Sequence, residues 1–278
     1  MTIIIDGRKI QKEILEKVKQ EVALLPFQPI FCDVLVGEDS VSRQYVDMKA
    51  RKAESVGIHF HRAEFPATIS TEELVSEIKK LNQIKNMCGI IVQLPLPESI
   101  ERQVVLDAIN PGLDVDCLGK EASEKFYRGD TALGFPTALA CMEILDSLRP
   151  DLSNKKIVVL GQGILVGKPV SALLCFRGLK SIDVDIFTEN KEELVKEADV
   201  IISGIGKGKH LTREKLKEGV VLIDAGTSES EGGIAGDVDL ESVKGFASAV
   251  SPVPGGVGPV TVAMLLRNVL KIAQSLNK

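Results

Sequence analysis

A glycine-rich turn between a buried strand and a helix constrains this chain more than any other feature. Residues 157–160 (IVVL) are apolar and mostly β-branched, as in a strand that is buried on both faces. Gly161, Gly163 and Gly167 follow at once. The first glycine of such a turn permits the tight bend, the second lets backbone approach a pyrophosphate, and the helix N-terminus presents N–H groups. The spacing is one residue longer than the common dinucleotide fingerprint, so an ordinary strand–turn–helix unit is the competing interpretation.

The residues downstream favour the dinucleotide interpretation. Residues 181–188, 198–203 and 219–224 read as further strands, with short helices predicted at 191–197 and from Thr212. Strands that alternate with helices predict a parallel α/β sheet, and ligands bind such sheets at the carboxyl ends of the strands. The residues expected to contact the dinucleotide are Gly161, Gln162, Gly163, Val166, Gly167, Thr188, Glu189, Gly204, Gly206, Asp224, Gly226 and Thr227.

Composition and charge limit the class of protein. The chain has 278 residues, 44% of them hydrophobic, which suffices for two domains with separate cores. Its net charge of −5 argues against a nucleic-acid or anionic-membrane partner. The five cysteines include no C-x-x-C pair, which is typical of a reduced set and predicts no metal site. The chain reaches Asp6 too early for a signal peptide and has no apolar run of membrane-spanning length, so we expect a cytoplasmic protein.

The first hundred residues predict a second α/β layer that has no glycine-rich phosphate turn. The predicted strands are residues 31–36, 58–65 and 88–93, and the predicted helices are residues 10–22, 40–56 and 71–84. Asp39 or Ser40 can cap the second of these helices, and Ser70 with Glu73 forms a capping box for the third. We expect this half to bind the substrate rather than the nucleotide.

Two segments are unusual for structure alone. Tyr45 and Lys49 lie four residues apart on a predicted helix, so both project from one face. A partly desolvated lysine beside a phenol can carry protons, but a solvated lysine on an amphipathic helix is the simpler interpretation. Residues 251–261 (SPVPGGVGPVT) predict a rigid, apolar loop before a C-terminal helix at 262–276, and such a loop suits the wall of a binding site.

The chain order excludes the short-chain dehydrogenases, which also combine a Tyr-x-x-x-Lys pair with a nucleotide fold. In that family the glycine-rich turn lies near the N-terminus and the pair far downstream. Here the pair precedes the turn by more than a hundred residues.

Together these segments resemble, nearly end to end, the bifunctional methylenetetrahydrofolate dehydrogenase/cyclohydrolase family (FolD type). The matching positions are Asp6-Gly7, Val36-Gly37, Ser42, Tyr45, Lys49, residues 92–97 (VQLPLP), Asn110-Pro111, residues 114–116 (DVD), Gly161, residues 166–169 (VGKP), Ala198-Asp199, Gly206-Lys207, Asp224, Gly226, residues 236–238 (GDV) and residues 252–259 (PVPGGVGP). The resemblance implies a two-domain α/β fold. Residues 1–136 plus 252–278 would form the folate-binding domain, to which the C-terminal helix returns, and residues 137–251 a Rossmann-like parallel-sheet nucleotide domain.

The resemblance also implies an activity and roles for individual residues. The expected reactions are oxidation of 5,10-methylenetetrahydrofolate and hydrolysis of the methenyl product to 10-formyltetrahydrofolate, in one-carbon metabolism and purine biosynthesis. The protein would bind tetrahydrofolate derivatives as a homodimer. Lys49 would carry protons, Gln93 would orient it, Asp116 would accept hydrogen bonds from the pterin edge, and Tyr45 would stack on the aminobenzoyl ring. The other residues expected to line the substrate site are Leu94, Pro95, Pro254, Gly255 and Gly256.

The chain departs from the family pattern at several positions. Leu113 and Cys117 stand where the family usually has Lys and Gly. Residues 135–140 (FPTALA) keep only the threonine of the usual Pro-Cys-Thr-Pro-x-Gly segment. These departures leave a catalytically silent folate- or nucleotide-binding paralogue as one alternative. An amino-acid dehydrogenase-like protein with the same nucleotide domain is another, although no clamp for a substrate carboxylate is recognisable in the first half.

The choice of cofactor is also open. NADP is the cofactor that the resemblance implies, and its 2′-phosphate is usually bound by a cation. Gln162 and Gly163 replace the family's Arg-Ser and carry no charge. Glu189 lies near the predicted end of the second strand, where an acid binds the ribose of NAD and repels a phosphate.

Overall fold

The computed structural model describes residues 1–230 and 233–277. The strands in the described residues are β1 (Ile3–Ile4), β2 (Ile30–Val36), β3 (His59–Phe65), β4 (Met87–Val92), β5 (Ile157–Leu160), β6 (Ser181–Val184), β7 (Val200–Ser203), β8 (Val221–Asp224), β9 (Ser228–Ser230), β10 (Gly233–Ala235) and β11 (Ala249–Val250). The helices are α1 (Gly7–Val22), α2 (Ser40–Ser55), α3 (Thr71–Leu81), α4 (Arg102–Asp107), α5 (Lys120–Tyr127), α6 (Pro136–Ser147), α7 (Gly167–Phe176), α8 (Lys191–Lys196), α9 (Leu240–Val243) and α10 (Val257–Leu276). None of these helices is long and apolar enough to cross a membrane.

The chain divides into two compact units. One unit comprises Met1–Lys12 and Thr137–Thr261, and the other comprises Glu13–Pro136 and Val262–Lys278. We call them the six-stranded unit and the three-stranded unit, after the larger sheet that each contains. The N-terminal residues group with the six-stranded unit because β1 pairs with β11 and Gly7 N donates to Gly255 O. The assignment of residues 1–136 plus 252–278 to folate stays a prediction.

A wholly parallel sheet forms the centre of the six-stranded unit. Its strand order is β1-β11-β8-β7-β5-β6. The chain passes from β5 to β6 on one side and then crosses to β7 on the other side, so the strand order reverses at β5. The space outside the carboxyl ends of β5 and β7 is therefore a topological switch point, where open α/β sheets bind ligands. The parallel α/β sheet predicted from the sequence is confirmed.

Two predicted boundaries in this unit are wrong. The strand predicted at 181–188 ends at Val184, because Asp185 Oδ1 accepts hydrogen bonds from Phe187 N (2.8 Å) and Thr188 Oγ1 (3.0 Å) and closes a turn. The helix predicted from Thr212 is only a single 3₁₀ turn. In both places a local turn makes the strand or helix shorter than the sequence pattern predicts.

The C-terminal helix begins earlier than predicted. It starts at Val257 rather than at residue 262, so the second half of the predicted loop at 251–261 is helical. Gly258 and Pro259 lie in the first turn of α10, where a missing backbone N–H costs nothing because that N–H has no partner within the helix.

The three-stranded unit contains the second α/β layer that the sequence predicts. Its parallel sheet has the order β3-β2-β4. α3 begins with the predicted capping box, in which Ser70 and Glu73 satisfy each other's backbone N–H groups. Side chains of α3 such as Leu74 and Ile78 pack against one face of β2, so the opposite face of that strand is left for other elements.

Candidate active site

Helix α2 presents Tyr45 and Lys49 on one face, as their spacing predicts. The helix starts at Ser40 because the Asp39 side chain accepts a hydrogen bond from Ser42 N (2.7 Å). Tyr45 is 41% exposed, whereas Lys49 is only 8% exposed. The simpler interpretation, in which Lys49 is a solvated surface lysine, is therefore wrong.

Lys49 is held by two side chains from the sheet of the three-stranded unit. Its Nζ donates to Gln93 Oε1 at 2.7 Å and lies 2.6 Å from Asp33 Oδ2. Gln93 directly follows β4 and is itself fixed, since its backbone N donates to Val34 O (2.9 Å) and its Nε2 donates to Leu94 O (2.9 Å). The amide oxygen of Gln93 is therefore turned towards the lysine, which is the arrangement that an orienting residue requires.

Asp33 is a site residue that the sequence reasoning missed. It lies in β2 and is fully buried, among neighbours that are all apolar. Buried acids are rare unless they are paired, so a single acid inside an apolar strand is a signal that could have identified it.

Asp116 is positioned by a loop whose backbone is hydrogen-bonded on several sides. The buried Asp114 carboxylate accepts hydrogen bonds from Asp116 N (3.2 Å) and Gly119 N (2.7 Å). The buried Asn268 of α10 donates to Val115 O (2.9 Å). The three-stranded unit therefore supplies both the lysine cluster and Asp116 from its own elements.

The carboxylates around Lys49 interact with one another. Loss of solvent raises the pKa of Asp116 to about 7; Lys49 lowers it, and the negative charges of Asp114 and Asp33 raise it further. Burial also raises the pKa of Asp33, against the lowering effect of Lys49. One lysine thus faces two carboxyl groups that both hold a proton more readily than free aspartate does.

The glycine-rich turn meets a second turn at the switch point of the larger sheet. Gly161 has φ +89°, a conformation that favours glycine. A Cβ atom on Gly161 would lie 2.9 Å from Gly204 O, and one on Gly167 would overlap the Gly161 carbonyl oxygen. The turn after β5 therefore packs closely on both the turn after β7 and the start of α7.

Gly163 differs from these two glycines because the space beside its Cα is empty. A Cβ atom there would meet nothing within 4 Å. Gln162 Nε2 turns inward to Val159 O (3.4 Å), and Val166 packs beside Gly204. The exposed backbone around Gly163, just before the N-terminus of α7, fits a pyrophosphate group. A dinucleotide therefore fits these residues.

The residues after β8 have a different use from the one expected. Asp224 is 1% exposed, and its carboxylate accepts hydrogen bonds from Gly226 N (3.0 Å), Asp237 N (3.1 Å) and Val238 N (2.8 Å). The Asp224 carboxylate therefore holds the backbone of the following loop in place from its buried side. Thr227 and Gly206 are exposed at the same edge of the sheet.

A second carboxylate, that of Asp185, lies closer to the end of β6 than the predicted Glu189. Asp185 follows the strand directly and also holds Thr188, while Glu189 lies four residues later in an exposed turn. The hydrogen bond from the Thr188 side chain lowers the pKa of Asp185, which stays ionised near neutral pH. Arg177, a cation near this edge in sequence, is paired with Asp146 at 2.7 and 2.9 Å.

The segment with Pro254, Gly255 and Gly256 is closely packed. Gly256 N donates to Pro252 O (2.7 Å), and a Cβ atom on Gly256 would lie 2.6 Å from the same oxygen. The Val253–Pro254 bond is cis, as is Leu94–Pro95 in the other unit. The ring of Pro254 is exposed beside this closely packed backbone.

Cys88 and Cys117 are buried free cysteines. Burial raises the pKa of Cys88 to about 11, and it raises the pKa of Cys117 as well, so these side chains remain thiols. Cys117 has φ +59°, a left-handed conformation that favours glycine. No cluster of three or more His, Cys, Asp or Glu able to hold a metal occurs among the residues that the structure describes.

A doubly wound parallel sheet with a glycine-rich phosphate turn, joined to a second α/β unit with a buried lysine, defines a two-domain dinucleotide-binding enzyme. Residues 5–116 match the model of the tetrahydrofolate dehydrogenase/cyclohydrolase catalytic domain. Residues 136–277 match the model of the NAD(P)-binding domain of the same family. The chain belongs to the tetrahydrofolate dehydrogenase/cyclohydrolase family.

Individual relatives cover almost the whole chain. A bifunctional protein FolD from Methanoculleus marisnigri is 38% identical over 273 residues, which are 98% of this chain and 96% of the relative. The crystal structure of the bifunctional enzyme FolD from Campylobacter jejuni superposes with a TM-score of 0.95 at 33% identity and covers 99% of this chain and 100% of that one. The Trypanosoma brucei methylenetetrahydrofolate dehydrogenase-cyclohydrolase, complexed with NADP and an inhibitor, has a TM-score of 0.93 at 32% identity and covers 99% and 98%.

Proposed function

We infer that this protein oxidises 5,10-methylenetetrahydrofolate with NADP and hydrolyses the 5,10-methenyl product to 10-formyltetrahydrofolate. The observation that carries the inference is the contact of buried Lys49 with Gln93 beside Asp116. A structural lysine would be solvated at its charged end. Here the charged end is buried, held in one orientation and surrounded by groups that exchange protons.

In the dehydrogenase step the protein mainly binds and orients the folate. A hydride leaves the methylene bridge, and the pterin nitrogens stabilise the resulting cation, so no strong acid or base is required. Asp116 accepts hydrogen bonds from the amino-pyrimidine edge of the pterin, and Tyr45, which is half exposed on α2, stacks on the aminobenzoyl ring. Leu94 and Pro95, which follow Gln93, are proposed to contact the folate as well, and the proposed substrate contacts of Pro254, Gly255 and Gly256 rest on the family resemblance alone.

In the cyclohydrolase step protons must move. Water attacks the methenyl carbon, and its oxygen loses both protons on the way to the formyl group. The nitrogen that leaves this carbon gains one proton, and the other is released to solvent. Lys49 carries these protons, and Gln93 keeps its Nζ in one place through the 2.7 Å hydrogen bond.

NADP binds at the carboxyl ends of β5, β7 and β8 in this proposal, and when bound it supplies the hydride acceptor. Gly163 leaves room for the pyrophosphate, and the close contacts of Gly161 and Gly167 hold the turn in shape. The exposed carboxylates of Asp185 and Glu189 oppose a 2′-phosphate at the ribose, so NAD is the competing cofactor.

We also propose that the protein is a cytoplasmic homodimer that supplies purine biosynthesis and has neither a nucleic-acid nor a membrane partner. These statements rest on the family resemblance and on the net charge of −5.

One assay tests the function against its alternatives. Purified protein is mixed with methylenetetrahydrofolate and either nucleotide, and nicotinamide reduction and methenyl decay are followed in turn. Both signals are expected. Folded protein that turns over neither substrate would instead identify a catalytically silent paralogue, and activity with an amino acid would identify the other alternative.

A further inference from the structure

Asp33 is buried on the face of β2 that carries Lys49. Side chains alternate along a strand, and Cys32 and Val34 both pack in the core cluster that includes α3. Asp33 therefore points to the opposite face, where its Oδ2 lies 2.6 Å from Lys49 Nζ. In the part of the chain that the structure describes, its Oδ1 has no hydrogen-bond partner.

This arrangement is costly for stability alone. A buried ion pair can usually be replaced by apolar residues without loss of stability, and the rest of β2 is apolar. A carboxylate with one unsatisfied oxygen is still more expensive. Its presence is better explained by what it does to the lysine that it touches.

We propose that Asp33 is a positioning residue for Lys49 that also stores the lysine proton while the free amine takes a proton from the attacking water. This rests on the proposed function. The ammonium of Lys49 gives one proton to Asp33, which becomes a carboxylic acid. As the water oxygen bonds to the methenyl carbon, the amine accepts one water proton. The pair, which began with one proton, then holds two, and it returns one to the folate nitrogen when the carbon–nitrogen bond breaks. It takes up the remaining hydroxyl proton as the formyl C=O forms and releases one proton to solvent, which is the net proton of the reaction.

The surroundings suit a carboxyl group that is protonated part of the time. Burial raises the pKa of Asp33, and the negative charge of Asp33 in turn raises the pKa of Asp116. Arg62 of β3 is the register partner of Asp33 on β2. Its guanidinium forms ion pairs with two other, exposed carboxylates, those of Asp47 and Glu64. The neighbour Cys32 remains a neutral thiol because burial raises its pKa.

The test is Asp33→Asn, which keeps the size of the side chain but cannot store a proton. Its cyclohydrolase kcat at neutral pH should fall about tenfold or more, while the dehydrogenase kcat and the folate KM change by less than about threefold. The low-pH limb of the cyclohydrolase profile should move to higher pH, after subtraction of the enzyme-free rate. Without Asp33 the ammonium lacks the carboxylate that would take its proton, so the proton must pass to solvent, a transfer that higher pH favours.

A merely structural role predicts something else. The proposal would be overturned if the low-pH limb of the cyclohydrolase profile stayed in place in Asp33→Asn. It would also be overturned if that limb moved to lower pH, since this would mean that the ion pair had only retained the lysine proton. Equal losses in both activities would overturn it too. Glu64→Gln is the matched control, since Glu64 is a more exposed carboxylate on the neighbouring strand, and its profile should match the wild type.

A double-mutant cycle tests whether Asp33 acts through Lys49 even if one variant folds poorly. Lys49→Met and Lys49→Met with Asp33→Asn should show the same residual cyclohydrolase rate if Asp33 acts only through the lysine. A further loss in the double variant would contradict the proposal, and Asp33→Ser repeats the single comparison. Wild-type protein without either activity would refute the proposed function instead, so the two failures are distinguishable.

Discussion

Lys49 and Gln93 meet although 44 residues separate them, with Nζ 2.7 Å from the amide oxygen. The lysine comes from α2 and the glutamine from the end of β4. Because Gln93 is itself bound to Val34 and Leu94, the contact fixes the lysine to the sheet. An adaptable surface side chain thereby becomes a buried group with a set orientation.

Replacing the lysine should remove the second reaction. In Lys49→Met, cyclohydrolase activity should fall by about a hundredfold or more, since the amine that accepts the proton of the attacking water is missing. Nucleotide affinity should stay unchanged, because the glycine-rich turn belongs to the other unit. Stopped-flow decay of methenyltetrahydrofolate and fluorescence titration with NADP measure the two effects. Arg51→Met, on the exposed side of α2, is the control. Retained hydrolysis near the wild-type rate would remove Lys49 from the mechanism.

Asp116→Ala should act mainly on folate binding. Loss of the carboxylate removes the acceptor for the pterin edge, so the folate KM should rise about tenfold or more while the nucleotide KM is unchanged. Steady-state kinetics of the dehydrogenase reaction at saturating NADP give both values. An unchanged folate KM would contradict the role at the pterin edge.

Folate binding should also depend on pH. The pKa of Asp116 is raised to about 7, so the carboxyl group gains a proton as the pH falls through neutrality. The protonated form accepts fewer hydrogen bonds, and the folate KM should therefore rise from about pH 8 to about pH 6. Asp116→Asn should remove this dependence. If the folate KM depends on pH in Asp116→Asn as it does in the wild type, Asp116 is not the group that causes the dependence.

The preference for NADP over NAD should be weaker than in a site where a cationic side chain binds the 2′-phosphate. Asp185 and Glu189 carry negative charge near the end of β6, and Arg177 is committed to Asp146. Comparison of kcat/KM for the two nucleotides decides this, and a preference for NADP of about a thousandfold or more would refute the charge argument. If NAD is preferred, Asp185→Ala and Glu189→Ala should each reduce that preference, and the larger change identifies the residue at the ribose.

Two glycines of the phosphate turn should respond differently to the same substitution. Gly167→Ala forces a Cβ atom onto the Gly161 carbonyl oxygen and should lower the free energy of unfolding by about 1–3 kcal/mol. Gly163→Ala meets nothing and should leave stability unchanged, yet it should raise the nucleotide KM because the backbone there faces the pyrophosphate. Urea unfolding and nucleotide kinetics on both variants test the pair. Equal stabilities would show that α7 shifts without cost.

The sequence predicted the local elements around the site well. The glycine turn after β5, the Asp39 and Ser70 caps and the Tyr45–Lys49 face all depend on residues close together in the chain. Such features are encoded by spacing and by backbone preference, which a single sequence displays directly.

The sequence did not predict the ends of elements where turns compete with apolar pattern. The strand expected at 181–188 stops at Val184 because Asp185 binds its own turn, which places an acid closer to the strand end than Glu189. Likewise Asp224 reads as a ligand-facing acid at a strand end, but its carboxylate is consumed by backbone N–H groups from a later loop.

The sequence by itself determined the family and the parallel sheet and made Lys49 a candidate proton carrier, because long motifs and periodic patterns carry that information locally. Only the tertiary structure decided that Asp33 belongs to the site. Its carboxylate reaches Lys49 through the register of β2 and the packing of α2 on that face. Which side chains meet across a sheet depends on register and on the faces that helices cover, and neither is written in the spacing of one strand.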